Sequence, residues 1–228
     1  MWIARIGIIA GSKPFSTLNT SLFAYYKAEN NANDSLGLYN GAAMGGLTYV
    51  AGKSGDAFRG NGTNAYVSLP DNMFKFTGDF SFSFWVKSNA QGADVIISTM
   101  DSATTRGWYV YHSGAGKLRF YQWNSSGNQY VEFSTTLSSV TWKHYTFVKQ
   151  LGTQVLCYEN GTLASVNATS GNTLLHPTYA ATQSSTLLAR RISSVINYCN
   201  YNLDEVGIWT KSLTPTEATE LQTKFYPY

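Results

Sequence analysis

"GDFSFSFWVK", Gly78 to Lys87, is the stretch whose reading decides the fold. Successive side chains of an extended strand leave on opposite faces. Phe80, Phe82, Phe84 and Val86 therefore share one face, and Ser81, Ser83, Trp85 and Lys87 the other. Four large apolar groups on one side mark a strand whose register is well specified, because a slip by one residue would turn all four into solvent.

Outward from this strand the same alternation recurs in short segments separated by Gly, Asn, Ser and Asp, and helical periodicity is nearly absent from Leu22 to Trp209. The pattern predicts strands at Ala65 to Leu69, Asp94 to Thr99, Gly107 to His112, Lys117 to Trp123, Gln129 to Phe133, His144 to Gln150 and Gln154 to Glu159. Asn160-Gly161 tolerates positive φ at both positions and predicts a type I′ turn, followed by a return strand from Thr162 to Val166. One helix is expected near the C-terminus. Thr214 is its N-cap, Pro215 its first helical residue and Glu217 the capping-box partner, and it runs through Glu220 and Leu221 towards Phe225. With no repeat or linker to divide the chain, the expectation is an all-β, antiparallel two-sheet jelly-roll sandwich over residues 19–228, with an N-terminal arm at 1–18.

Hydrophobic residues make up 43% and aromatics 15% of the 228 residues, enough for a large core, while charged residues are only 13% against roughly 25% in ordinary soluble domains. The surface must then be dressed with Ser, Thr, Asn, Gln, Gly and Tyr. That suits a protein meeting neutral polar ligands outside the cell or on a particle, and it also accompanies any β-rich composition. A net charge of +3 with no basic stripe argues against nucleic-acid binding. Arg190 and Arg191, the densest basic spot, point to opposite faces if they lie in a strand. No stretch is long enough to cross a bilayer. Cys157 and Cys199 are too few and too far apart for a zinc module, and their apolar surroundings predict buried free thiols, with a cross-strand disulfide as the alternative. In the opening "MWIARIGIIAGSK" the apolar run from Ile6 to Ala10 is short for a secretion signal, and it reads as a retained arm.

Taken in order, "AYY…NANDS" (Ala24 to Ser35), "GKSGDAFRGNGTNAYVSLP" (Gly52 to Pro70), "GDFSFSFWVK", "WKHYTFV" (Trp142 to Val148), "CYENGT" (Cys157 to Thr162) and "LDEVGIWTKSLTPTE" (Leu203 to Glu217) resemble the laminin-G-like jelly rolls of the concanavalin-A-like lectin type. The resemblance implies two antiparallel sheets face to face, the first and last strands paired, and use as a noncatalytic adhesive module with carbohydrate or protein ligands. It also implies one structural calcium ion. Carried over, its ligands would be Asp34, the neighbourhood of Gly60 and Asn61, and Asp204; the alternative is that Asp34 caps a turn and Asp204 orders a strand end.

Carbohydrate binding needs rings for sugar C–H faces and polar partners for hydroxyls. If Val110, Leu118 and Phe120 point into the core, Tyr109, Tyr111, Arg119, Tyr121 and Trp123 face outward as an unusually aromatic set. The alternative is that the arm or a neighbouring subunit covers them. Enzyme readings find little support. Among the 13 carboxylates the adjacent pair is Asp204-Glu205, and adjacent strand positions point to opposite faces, which disfavours a glycosidase dyad. His112, His144 and His176 lack partners at metal-ligand spacing.

Two functions from different classes follow. One is a structural or decoration protein of an assembled particle such as a bacteriophage virion, touching other assembly proteins or itself through the arm and gripping host glycans. The other is a secreted or cell-surface carbohydrate-binding module. "RIGIIA" (Arg5 to Ala10) resembles the start of some phage structural proteins and favours the first.

Overall fold

The computed structural model describes residues 16–89, 92, 94–101, 106–113, 116–124, 127–171, 175–192 and 195–228. Residues 1–15, which hold most of the expected arm, and the side chains of Arg190 and Arg191 lie outside that description. After a short 3₁₀ turn at Thr17–Asn19 the strands are β1 (Leu22–Tyr26), β2 (Ala42–Met44), β3 (Thr48–Ala51), β4 (Asp56–Arg59), β5 (Tyr66–Leu69) and β6 (Phe80–Ser88). Next come β7 (Asp94–Met100), β8 (Gly107–His112), β9 (Leu118–Asn124), β10 (Gly127–Phe133), β11 (Lys143–Gln150) and β12 (Gln154–Glu159). The chain continues through β13 (Thr162–Leu163), β14 (Val166–Ser170), β15 (Ser184–Leu187), β16 (Ala189–Ile192), β17 (Val195–Tyr198) and β18 (Tyr201–Trp209), and α1 covers Pro215–Glu220.

Two antiparallel sheets of eight strands form the sandwich. The first runs β13-β12-β11-β6-β18-β4-β3, with β1 also paired to β18; the second runs β14-β10-β9-β8-β7-β15-β5-β2. The pairing of β1 with β18 joins the two ends of the domain, Tyr26 lying opposite Val206. β16 and β17 make a separate two-stranded ribbon.

The core forms where the apolar parities of the two sheets meet. Phe80, Phe82, Phe84 and Val86 are all at most 1% exposed. Phe82 is central: its ring lies 5.1 Å from Phe147 on the neighbouring strand and 5.2 Å from Trp108 across the sandwich, within 15° of parallel to both. Trp108 anchors its indole N–H on the Phe74 carbonyl at 3.2 Å, so its polar edge is satisfied inside the core.

The opposite face of β6 is also covered. Ser81, Ser83 and Trp85 are buried: the chain after β18 folds back over Ser81, and Trp85 packs against His144 with Lys53 Nζ 4.4 Å from its ring centre. The Ser81 hydroxyl donates to the Lys211 carbonyl at 2.8 Å and accepts from the Leu213 N–H at 3.0 Å. A second, smaller apolar cluster forms there from Leu18, Val148, Tyr158, Trp209, Leu213, Ala218 and Leu221. Trp209 donates its indole N–H to the Leu18 carbonyl at 2.7 Å, so the end of the expected arm is docked on the domain.

Three local expectations change. Asn160 (φ 48°) and Gly161 (φ 74°) make the expected turn, but the return strand is divided. Thr162–Leu163 pairs with β12, and from Val166 the chain pairs with β10 in the other sheet. Ala164 N–H still bonds the Cys157 carbonyl, while the Ser165 carbonyl already accepts from Ser134, so the chain changes sheets between them. The capping box forms, with Glu217 N–H to Thr214 Oγ1 at 3.2 Å and Thr214 N–H to Glu217 Oε2 at 2.8 Å. The helix stops at Glu220 rather than near Phe225, and the segment beyond it carries Tyr226 and Tyr228 onto Tyr25, 5.3 and 5.8 Å away.

The third change is a bulge in β18. Tyr201, Leu203, Val206 and Ile208 all belong to the main core, a pattern that strict alternation forbids. Glu205 (φ 49°) is the extra residue, inserted where the pairing with β6 shifts register. Asp204 and Glu205 consequently leave on the same outer side, contrary to the expectation for adjacent strand residues. Glu205 accepts from the Tyr25 hydroxyl, and Asp204 accepts from the N–H groups of Lys53 (2.7 Å), Ser54 (3.1 Å) and Glu205 (2.8 Å). Burial pushes the Asp204 carboxyl up to about 7; the N–H bonds oppose the rise and the Glu205 charge adds to it. Cys157 and Cys199 are free and fully buried.

Phe82→Ala should cost about 3–5 kcal/mol in urea unfolding, since it empties the contact between the sheets; a loss below about 1 kcal/mol would contradict this packing. The Asp204 contribution has a defined sign. A carboxyl raised in the folded state stabilises fully below its ordinary value near 3.8 and loses that contribution as pH rises through about 7. The stability advantage of the parent over Asp204→Asn should therefore shrink between about pH 4 and about pH 7. A difference constant with pH would contradict the assignment.

Candidate functional site

The second sheet turns one parity of β8, β9 and β10 into the core: Trp108, Val110, Leu118, Phe120, Val131 and Phe133 are all at most 4% exposed. The other parity must face away from it. Tyr109, Tyr111, Arg119, Tyr121 and Trp123, expected from the sequence to form one outward set, do share this face. Tyr109 lies directly opposite Tyr121, and Tyr111 opposite Arg119. Tyr130 and Glu132 on β10 extend the same rows, opposite Tyr121 and Arg119.

The rings run across the strands. Tyr109 and Tyr121 stack at 5.0 Å and 8° from parallel, and Tyr121 and Tyr130 at 5.5 Å and 23°. Trp123 closes one end, 5.3 Å from Tyr121 and 5.6 Å from Tyr109 with tilts near 40°; Tyr111 meets Tyr109 edge-on at 6.2 Å. Tyr109, 5% exposed, forms the floor with Val95 and Met100. Tyr111, Tyr121, Trp123 and Tyr130 are half-buried. Ring faces that stack on each other point along the row, so Tyr121 and Tyr130 present edges and hydroxyls outward. The Tyr121 oxygen accepts from Asn128 Nδ2 at 2.8 Å.

Within the ring rows the Arg119 charge is compensated locally. Arg119 bonds the Glu132 carboxylate through Nε, and its guanidinium lies 4.6 Å from the centre of the Tyr130 ring. The other Glu132 oxygen accepts from Asn167 Nδ2 at 2.5 Å. Burial alone would lower the Arg119 pKa; the Glu132 hydrogen bond and charge outweigh it and hold the group above its ordinary value.

The hairpin carrying Trp123 is braced from inside. Gln122, Asn124 and Gln129 are core-facing amides. Gln129 Nε2 donates to Asn124 Oδ1 at 2.7 Å, and Gln122 Nε2 donates to Gln129 Oε1 at 3.2 Å and to the Leu175 carbonyl at 3.0 Å. Thr178 N–H bonds the Trp123 carbonyl at 2.7 Å. These buried amide bonds fix the strand that holds the ring, although the Gln122 Oε1 is left without a protein partner. Tyr130, Glu132 and Asn128 were missed in the sequence, although the parity of Val131 and Phe133 in the expected strand Gln129 to Phe133 places Tyr130 and Glu132 outward.

At Asp34, Asn61 and Asp204, three of the four positions nominated for calcium, backbone N–H groups engage the side-chain oxygens. Both Asp34 oxygens are engaged by backbone N–H groups, Oδ1 by Tyr25 (2.9 Å) and Leu36 (3.1 Å), Oδ2 by Leu38 and Tyr39 (3.1 Å each). Asn61 Oδ1 accepts from Thr63, Asn64 and Ala65 at 2.9–3.0 Å. Gly60 packs so tightly that a Cβ would fall 2.2 Å from the Cys199 carbonyl oxygen. Asp204 is held by its own three N–H donors. Calcium takes six to eight oxygens, and N–H hydrogens aimed at these oxygens occupy the approach a cation would use. No group of three or more His, Cys, Asp or Glu side chains is placed to hold a metal among the described residues.

The comparisons with known proteins agree with the architecture. Residues 61–219 match the family model described as the concanavalin A-like lectin/glucanases superfamily. A non-toxic nonhemagglutinin type A from Clostridium botulinum (strain Kyoto / Type A2) is 27% identical over 151 residues, 63% of this chain and 13% of that protein, so the chain spans only a small part of this curated relative. Domain 4 of AbnA, a GH43 extracellular arabinanase from Geobacillus stearothermophilus solved in complex with arabinotriose, superposes with a TM-score of 0.68 at 20% identity, covering 89% of this chain and 98% of that one. The binding domain of Paraclostridial Mosquitocidal Protein 1 superposes at 0.70 with 17% identity, covering 90% of this chain and 52% of that one. These likenesses are of fold, and the family match gives the membership: the chain belongs to the concanavalin A-like lectin/glucanases superfamily as a jelly roll of the laminin-G-like type.

Proposed function

We propose that this domain is a noncatalytic carbohydrate-binding module that acts outside the cell, gripping glycans on a surface through the aromatic face of β8, β9 and β10. The observation that carries the reading is the cross-strand row in which half-buried Tyr121 and Tyr130 stack beside the buried Tyr109 and Trp123 closes one end, an aromatic surface with polar edges on a rigid sheet. Sugars need this pairing of apolar and hydrogen-bonding surface, and a sheet holds it more rigidly than a loop. The domain of the extracellular arabinanase carries arabinotriose on the same fold, which supports a sugar as the ligand class. Membership of a superfamily that includes glucanases leaves catalysis to be judged from the site. Glycoside hydrolysis uses two carboxyl groups flanking the bond, and the face offers Glu132, which is tied to Arg119 and Asn167. Asp204 and Glu205 belong to the other sheet and are buried.

A place on a bacteriophage virion rested on the N-terminal arm together with the low charge and few cysteines, and the comparisons lend that reading no support. Trp123→Ala and Tyr121→Ala should each weaken glycan binding on an array and by calorimetry by about tenfold or more, the loss of about 1.4 kcal/mol, with the melting temperature little changed. Undiminished binding in a folded double variant would place the ligand elsewhere.

A further inference from the structure

Resting on that reading, we infer that the ligand is an uncharged, linear oligosaccharide lying across the strands of β8, β9 and β10, and that the site discriminates against sialylated, sulfated and uronic-acid glycans. Three observations lead there. The first is direction. Tyr109, Tyr121 and Tyr130 sit in direct register on three consecutive strands, with ring centres 5.0 and 5.5 Å apart. This row crosses the sheet at the strand spacing; Tyr109 is its buried floor, and a chain of sugar rings laid across it meets the half-buried edges of Tyr121 and Tyr130 beside Trp123.

The second is the state of the cation. Arg119 is the basic residue within the ring rows, and its charge is already spent on Glu132 while its guanidinium is stacked on Tyr130. An acidic sugar would have to displace the Glu132 carboxylate, or sit beside it and meet its repulsion. Either route removes a charge-assisted hydrogen bond before a new one forms. Lys117 continues the same side of β9, but it precedes that strand and stands six residues from Trp123, about 20 Å along the extended chain.

The third is hydrogen-bonding capacity. The Tyr121 oxygen accepts from Asn128, which leaves its hydroxyl proton to donate to a sugar oxygen. Asn128, exposed at the rim, is available from the same side. Together the Tyr121 hydroxyl and the Asn128 amide offer both donors and acceptors, as sugar hydroxyls need.

The test uses the intact chain on an array of neutral linear oligosaccharides of arabinose, xylose, glucose, mannose and galactose beside sialylated, sulfated and uronate-bearing counterparts, with hits titrated at low and high salt. The expected result is binding of a neutral chain at least about tenfold tighter than of its acidic counterpart, with affinity nearly unchanged between about 0.05 and 0.5 M salt. Glu132→Gln, which releases the Arg119 charge, should raise affinity for the acidic counterpart and make it salt-sensitive. A parent protein that prefers acidic glycans and loses them with salt overturns the inference while leaving the carbohydrate reading standing. Binding to no glycan at all removes that reading, and the inference with it.

Discussion

Trp108 lies flat against Phe82, 5.2 Å away and 14° from parallel, and the rest of the site depends on that contact. It joins the central strand of one sheet to β8 of the other and decides which parity of β8 is inside. Because β8, β9 and β10 are locked in register, the choice at Trp108 propagates to Phe120 and Val131 on the inner face and to Tyr109, Tyr121 and Tyr130 on the outer one. The binding surface is thus the reverse side of the core, and its geometry is held by packing rather than by loops.

The polar groups follow the same economy. At the end of the sandwich the inner face of β9 changes from Phe120 to Gln122 and Asn124, and those amides bond Gln129 and the Leu175 carbonyl. On the outer face Arg119, Glu132 and Asn167 form a closed set. What remains open is hydroxyl, amide and ring edge. On the opposite sheet, backbone N–H groups close on Asp34, Asn61 and Asp204, so these side chains order the loops by hydrogen bonding. This is the turn-capping alternative the sequence offered beside calcium.

Much of this was legible in the sequence, for identifiable reasons. Phe80 to Val86 showed its parity because four apolar residues alternate without interruption, and Gly107 to His112 and Gln154 to Glu159 match their strands to the residue. The outward aromatic set was legible because Val110, Leu118 and Phe120 marked the inner parity. What escaped was non-local. The bulge at Glu205 depends on its pairing with β6 and on a positive φ that a glutamate does not advertise. The division of Thr162 to Val166 between two sheets depends on which strands lie near each end. Ser81 looks half-solvated until the segment after Trp209 folds over it, and Trp85 until His144 and Lys53 close on its ring. Glu132 was on an expected strand, but its role appears only when Arg119 stands opposite.

The most direct measurement of the central claim is a crystal structure of the protein soaked with whichever neutral oligosaccharide it binds most tightly on an array. The account predicts density for the sugar along the row of Tyr109, Tyr121 and Tyr130, with Trp123 at one end and the Arg119–Glu132 pair intact. Density against the other sheet, around Trp85 and Asp204 or in the loops flanking β4, with the row of rings bare, would contradict it.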